Sequence, residues 1–152
     1  MKLWVESDSV NSAGRVVQAK LSEMTKNVDR QVVSRATRAV NELRNAELDV
    51  LKGQRSGKVY RKYPYKAKYR ASAPGEPPAR RTGALRLHWN GTVETRPGSN
   101  GGTEVTAVLE SVEKYAPLLE HGTSRMAARP FHDLIVEKAR PKIMRIYEAP
   151  YE

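Results

Sequence analysis

Between Lys52 and Arg70 the chain carries eight cations, Lys52, Arg55, Lys58, Arg61, Lys62, Lys66, Lys68 and Arg70, with no acid among them. Tyr60, Tyr63, Tyr65 and Tyr69 are set between them. Cations that neutralise phosphates, beside rings on which bases stack, are the ingredients of nucleic-acid binding. Lys58, Arg61, Lys62, Lys66, Lys68 and Arg70 are therefore the candidate contacts to DNA or to an acidic protein partner. Their spacing is irregular, and no recognition-helix or RNA-recognition motif accompanies them. The competing structural account is an extended arm or hairpin that packs its tyrosines on the body and turns its charges outward.

Catalytic chemistry finds less to work with. There is no cysteine, so a disulfide framework, a thiolate metal site and a cysteine nucleophile are all excluded. The histidines are His88, His121 and His132. His132 and Asp133 are sequence neighbours and point different ways on a helix, so they make neither a metal pair nor a base with its orienting group. Glu110 and Glu113, on one helix face, would be solvated carboxylates. No nucleophile elbow, phosphate loop or zinc-binding helix motif occurs. The expectation is a protein without catalytic residues, metal or cofactor.

The charge is local. Of the formal +10, residues 53–86 supply ten Lys/Arg against the single acid Glu76. Residues 1–52 carry nine against seven, and residues 87–152 eight against nine. A field confined to one segment implies an acidic surface or nucleic acid opposite it. A free nucleic-acid-binding protein using residues 53–86 is accordingly the alternative reading of function. Met1 to Asp8 has no long apolar core of the secretory kind, and no stretch approaches a membrane span. A soluble protein, intracellular or built into a cytoplasmic assembly, is expected.

The elements that must position these residues are legible from periodicity. Lys2 to Glu6 alternates like a short edge strand, and Asp8, Ser9 and Ser12 are N-cap types. Val10, Ala13, Val17, Leu21, Met24, Val28, Val32, Ala36, Val40, Leu43, Ala46 and Val50 then recur about every 3.6 residues, the α-helical period. An unbroken helix of this length, roughly 60 Å at 1.5 Å per residue, outruns a single domain of 152 residues. It must kink or pack partly on another subunit. Gly14 is placed to delay its start, and Gly53 to stop it. Leu85 to Trp89, Thr92 to Arg96 and Thr103 to Leu109 read as three strands of an antiparallel meander, with Pro97 to Gly102 a turn. Val105, Ala107 and Leu109 would form its buried face. Tyr115 to His121 reads as one or two helical turns closed by Gly122. Pro130 begins a last helix with Phe131, Leu134, Ile135, Ala139, Ile143 and Tyr147 on one face, and Pro141 should kink or split it. The fold class is α+β: long N-terminal helix, small antiparallel sheet, C-terminal helix, and residues 53–83 as an extended basic arm within one domain spanning 1–152.

Two stretches interrupt this pattern. Ala71 to Arg86, Ala-Ser-Ala-Pro-Gly-Glu-Pro-Pro-Ala-Arg-Arg-Thr-Gly-Ala-Leu-Arg, is rigid and poor in hydrogen-bond donors because of Pro74, Pro77 and Pro78. It needs a surface to lie against, its own domain or a neighbouring copy. Tyr115 to Phe131, Tyr-Ala-Pro-Leu-Leu-Glu-His-Gly-Thr-Ser-Arg-Met-Ala-Ala-Arg-Pro-Phe, contains Glu120 close enough to Arg125 or Arg129 to pair across Gly122. Thr82-Gly83 would make a tight turn into the strand at Leu85, and Phe131 would anchor the last helix on the sheet.

Both stretches, in this order and spacing, resemble signatures of a siphophage family of tail components, the head–tail neck or tail-completion proteins of long-tailed phages. The likeness spans residues 10–148. His121 stands where an aromatic Phe or Tyr is more usual, and the basic Tyr-rich run is heavier than in the family. The resemblance implies a structural virion protein, assembled in the host cytoplasm and sited in the neck, forming a homo-oligomeric ring of six copies. Its partners would be other neck proteins, the tail terminator or tail tube, and the portal or its adaptor, with genomic DNA passing through the lumen. Pro74, Pro77, Pro78, Arg80, Arg81, Glu120, Arg125, Arg129 and Phe131 are the candidate subunit-contact residues.

Overall fold

The computed structural model describes residues 7–64, 66–99 and 101–151. The strand expected at Lys2 to Glu6 lies outside them. A single helix, α1, runs Ser7–Lys52, 46 residues or about 69 Å at 1.5 Å per residue. Neither Gly14 nor the cap-type residues Asp8, Ser9 and Ser12 mark its start: all four lie inside it. It ends at Lys52, where Arg55 folds back and donates from Nη2 to the Val50 carbonyl at 2.8 Å, satisfying one of the open carbonyls of the last turn.

Two antiparallel ribbons follow. The first pairs β1 (Val59–Arg61) with β2 (Lys68–Arg70), placing Tyr60 opposite Tyr69. The second pairs β3 (Trp89–Pro97) with β4 (Thr103–Ser111), Trp89 opposite Ser111 and Pro97 opposite Thr103. Three short or medium helices complete the chain: α2 (Ala84–Leu87), α3 (Ala116–His121) and α4 (His132–Glu148). The architecture is α+β, with a long N-terminal helix, two small antiparallel sheets and a C-terminal helix.

The expected three-stranded meander is a two-stranded hairpin. Leu85 to Leu87 is not a strand but the turn of helix α2. Gly83, at φ +95°, swings the chain so that Leu85 drops into the core while Leu87 stays exposed. The Trp89 indole N–H then donates to the Leu85 carbonyl and holds the turn closed. Alternation of three apolar residues in five fits a helical turn as well as a strand, and the left-handed glycine decides between them. On β4, Val105, Ala107 and Leu109 are half-buried as expected, and they face α1.

The core lies on the C-terminal half of α1. Ala46 and Leu51 pack with Leu85, Ala116, Phe131, Ile135 and Ala139, and Trp89 meets Phe131 edge-on with ring centroids 6.2 Å apart. Gly91 lets β3 come against α1: a Cβ there would sit 2.4 Å from Val40 Cγ1. α4 continues unbroken through Pro141, so the expected split does not occur. Pro141 is on the exposed side, while Ala139 and Ile143 hold the helix to the core on either side of it. Its far end is pinned by Arg35, buried on α1, which donates to the carbonyls of Tyr147 (3.1 Å) and Pro150 (2.7 Å) and lies over the Tyr151 ring.

One buried group in this core titrates unusually. Glu47 is fully enclosed; Oε2 accepts from Arg44 at 2.8 Å while Oε1 has no partner among the described residues. Burial pushes its carboxyl from 4.5 up to about 7, against the pull of Arg44 and Arg86. The folded chain then holds a proton that the unfolded chain releases, so the Glu47 contribution to stability is fully present below about 4.5 and is lost as pH rises through about 7. Glu47→Gln is expected to raise the denaturation midpoint at pH 8 and leave it nearly unchanged at pH 5. A lower midpoint at pH 8 would show instead that the ionised Arg44 pair is net stabilising.

Candidate functional site

The proline-rich stretch and the loop after α3, distant in sequence, lie against one another. Gly75 N–H donates to the Ala128 carbonyl at 3.1 Å, and the Arg129 guanidinium reaches both the carbonyl and the hydroxyl of buried Ser72. Arg129 N–H donates to the Leu119 carbonyl at 2.8 Å. Proline removes donors from this segment, so its exposed acceptors are satisfied by an arginine from elsewhere.

Glu76, the lone acid of the basic segment, ties down the other side. Oε2 accepts the Ser56 N–H (3.0 Å) and the Ala73 N–H (2.9 Å), and Oε1 accepts the Ser56 hydroxyl (2.5 Å). These donors, the Ser56 hydroxyl foremost, hold its carboxyl down at about 2. Arg55 adds a bond from Nε to the Pro78 carbonyl at 3.3 Å. Gly57 N–H and the Ala71 carbonyl (3.0 Å) close the foot of the β1–β2 ribbon. The basic arm is therefore a hairpin on a hydrogen-bonded base rather than a loose loop.

Glu120 does not pair with Arg125 or Arg129 as the sequence spacing predicted. Its Oε2 accepts the backbone N–H groups of Phe131 (2.9 Å) and His132 (3.1 Å) at the start of α4. The amides at the start of α4 have no partner within the helix, so the carboxylate satisfies two of them at once. Arg125 is exposed, with no side-chain partner among the described residues. Phe131 is buried, so its contribution is made from inside the fold.

An open groove of ≈710 Å³ lies where these segments converge. Leu51, Leu85, Leu119 and Met126 form its apolar lining, with Tyr63, Tyr69 and Tyr115 beside them. Lys62, Arg80, Arg81, Arg86 and Arg129 also line it, and no acid does. Arg129 is engaged by Ser72, and Arg86 lies close enough to Glu47 to act on its charge. The side chains of Lys62, Arg80 and Arg81 have no ion pair or hydrogen bond among the described residues. Of the three prolines, Pro78 is buried and lines the groove, Pro77 is half-buried and Pro74 is exposed. The remaining candidate cations, Lys58, Arg61, Lys66, Lys68 and Arg70, are exposed on the hairpin. Among the described residues no cluster of His, Asp or Glu is placed to hold a metal, and no helix is long and apolar enough to cross a membrane.

Sequence reasoning passed over Ser72 and Arg35, and noted Glu76 only as a charge. For Glu76 a signal existed: a single carboxylate within a +9 segment is a natural acceptor for its backbone. Ser72 and Arg35 gave none, because their partners are 57 and more than 100 residues away.

Comparison of the chain with known protein families, with characterised proteins and with solved structures found no match in any of the three.

Proposed function

We propose that the chain is a structural protein of a long-tailed phage virion, one protomer of a ring that completes the tail and joins it to the head. The observation that carries this reading is a row of exposed apolar side chains on the N-terminal half of α1. Val17, Leu21, Met24 and Val28, spaced 4-3-4, are 58, 59, 65 and 44% exposed, beyond the reach of α4 and the β3–β4 hairpin. That spacing is the seam of helix-to-helix packing. Each such side chain gains about 1.5–3 kcal/mol on burial, so leaving the row in water is costly unless sister molecules cover it. Support also comes from the two signature stretches, which share one groove. In this reading the ring has six copies, and the β1–β2 hairpin turns toward passing DNA or an acidic neck protein.

The hairpin favours that role over free nucleic-acid binding. Tyr60 and Tyr69 stack on each other with centroids 5.9 Å apart, which takes one face of each ring from any base. Tyr63, 90% exposed, is the open ring among the described ones.

Excision of residues 60–70 is expected to leave the fold intact and to block joining of filled heads to tails, scored as free heads and free tails by electron microscopy. Normal yields of infectious particles from the excised chain would end this assignment of the hairpin. Cryo-microscopy of intact virions tests the larger reading: the chain's density should form a sixfold ring between portal and tail. Its absence from purified particles would overturn it.

A further inference from the structure

Helix α3 separates two clefts, one lined by cations and the other carrying the carboxylates of Glu120 and Asp133. On one side Tyr115 and Leu119 line the basic groove, whose cations Lys62, Arg80 and Arg81 are unpaired among the described residues. On the other, Ala116, Pro117 and Glu120 line a second cleft of ≈500 Å³ completed by Asp133. His121 and His132 also line that cleft, and no Lys or Arg does. Asp133 is 87% exposed and, contrary to the sequence reading, its Oδ1 lies 3.0 Å from the neighbouring His132 Nδ1; Glu137, one turn further along α4, is exposed beside it. Leu134, next to Asp133 on α4, is 40% exposed.

We propose that the basic groove of one copy receives the exposed start of α4 of a second copy, with Arg80 and Arg81 facing Asp133 and Glu137 of the next molecule. The inference rests on the ring reading and names the surfaces that close it. Charge complementarity selects a second copy as the occupant. One chain carries both a groove with the cations Lys62, Arg80 and Arg81, unpaired among the described residues, and, across one short helix, two exposed acids beside the exposed Leu134. The aliphatic part of the lining, Leu51, Leu85, Leu119 and Met126, gives an exposed leucine of the next copy an apolar seat beside the cations. Two different patches meet, so the contact is head-to-tail, and it closes into a ring when the rotation between copies allows. Charges at such a contact fix its register and exclude wrong pairings.

The test is sedimentation of the full chain at pH 8, where ordinary imidazoles are neutral, in about 50 mM salt, where screening is weak. The wild-type chain is expected to assemble in a concentration-dependent way. Arg80→Glu with Arg81→Glu, and separately Asp133→Lys with Glu137→Lys, should each weaken association by more than about tenfold, since like charges then face each other. None of these four side chains is in the core, and thermal melts confirm that each variant folds. An equimolar mixture of the two variants should reassemble, because every groove again meets a face of opposite sign.

A wild-type chain that stays monomeric, reversals that assemble normally, or a mixture that fails to reassemble would each overturn the proposal. So would a monomer whose groove instead binds fluorescein-labelled polyglutamate or an oligothymidylate, with binding lost on Arg80→Glu and Arg81→Glu. The two readings fail separately. A chain absent from virions that passes the charge swap loses the neck role and keeps this interface. A neck ring built equally well by the reversal variants does the opposite.

Discussion

Phe131→Ala is expected to lower the unfolding free energy by about 3–5 kcal/mol, the usual cost of deleting a buried aromatic ring. Phe131 is 4% exposed and is the point at which α4, α3 and the start of β3 meet. Its ring lies edge-on to Trp89, and its backbone N–H is one of the two donors to Glu120. Truncation therefore leaves a cavity between three elements while the Glu120 bonds persist, so the helix start survives as its anchor goes. Urea titration reads the effect as a lower midpoint at unchanged slope. A loss below about 1 kcal/mol would mean that the site collapses around the gap, and that the core is less ordered than its packing implies.

Gly122→Ala should be as damaging, for a different reason. Gly122 sits at φ +75° and ψ −178°, a region that residues with a Cβ essentially do not occupy, at a cost of about 1–3 kcal/mol. An added Cβ would also lie 2.7 Å from both the Ala128 nitrogen and the Met126 carbonyl oxygen, backbone atoms that cannot rotate away. The combined loss is expected at about 3 kcal/mol or more. Because the displaced loop carries Ala128 and Arg129, the proline-rich stretch should loosen with it. Limited proteolysis between residues 71 and 86 should accelerate. Gly75→Ala provides the contrast: φ is +81°, but nothing lies within 4 Å of a Cβ, so only the dihedral cost applies. Equal effects from the two substitutions would show that close backbone approach at Gly122 is unimportant.

These two residues also mark how far the chain could be read without its coordinates. Phe131 was legible as an anchor because the apolar period after Pro130 is unambiguous, although the helix itself begins two residues later, at His132. The long helix was equally clear, since twelve apolar positions at one period leave no other element, and so was its excess over what one domain can cover. Val17, Leu21, Met24 and Val28 are exposed for that reason. Gly122 read only as punctuation. Its real work is the close approach of residues 126–128, which no local pattern announces.

The short pieces were misread in an instructive way. Leu85 to Trp89 alternates like a strand, yet Gly83 and the Trp89–Leu85 contact make it a helical turn. A five-residue window holds too few repeats to separate a period of 2 from one of 3.6, and tertiary burial of Leu85 settles it. The Glu120 pairing failed for a related reason. Sequence proximity offered Arg125 and Arg129 as partners, but the fold brings the bare N-terminus of α4 to the carboxylate and gives Arg129 to Ser72.

The amino-acid sequence by itself determined the helices long enough to declare a period, the α+β class, the absence of thiol chemistry and the confinement of positive charge to residues 53–86. Only in the tertiary structure does the basic segment become a hairpin seated on Glu76, do both motif stretches form one groove, and does α3 stand between a cleft lined by cations and one carrying Glu120 and Asp133. The physical reason is range. Period, charge and backbone restriction are properties of neighbours along the chain. Partners such as Arg129 and Ser72, or Arg35 and Pro150, are chosen only when packing brings remote donors to acceptors that must not be buried alone.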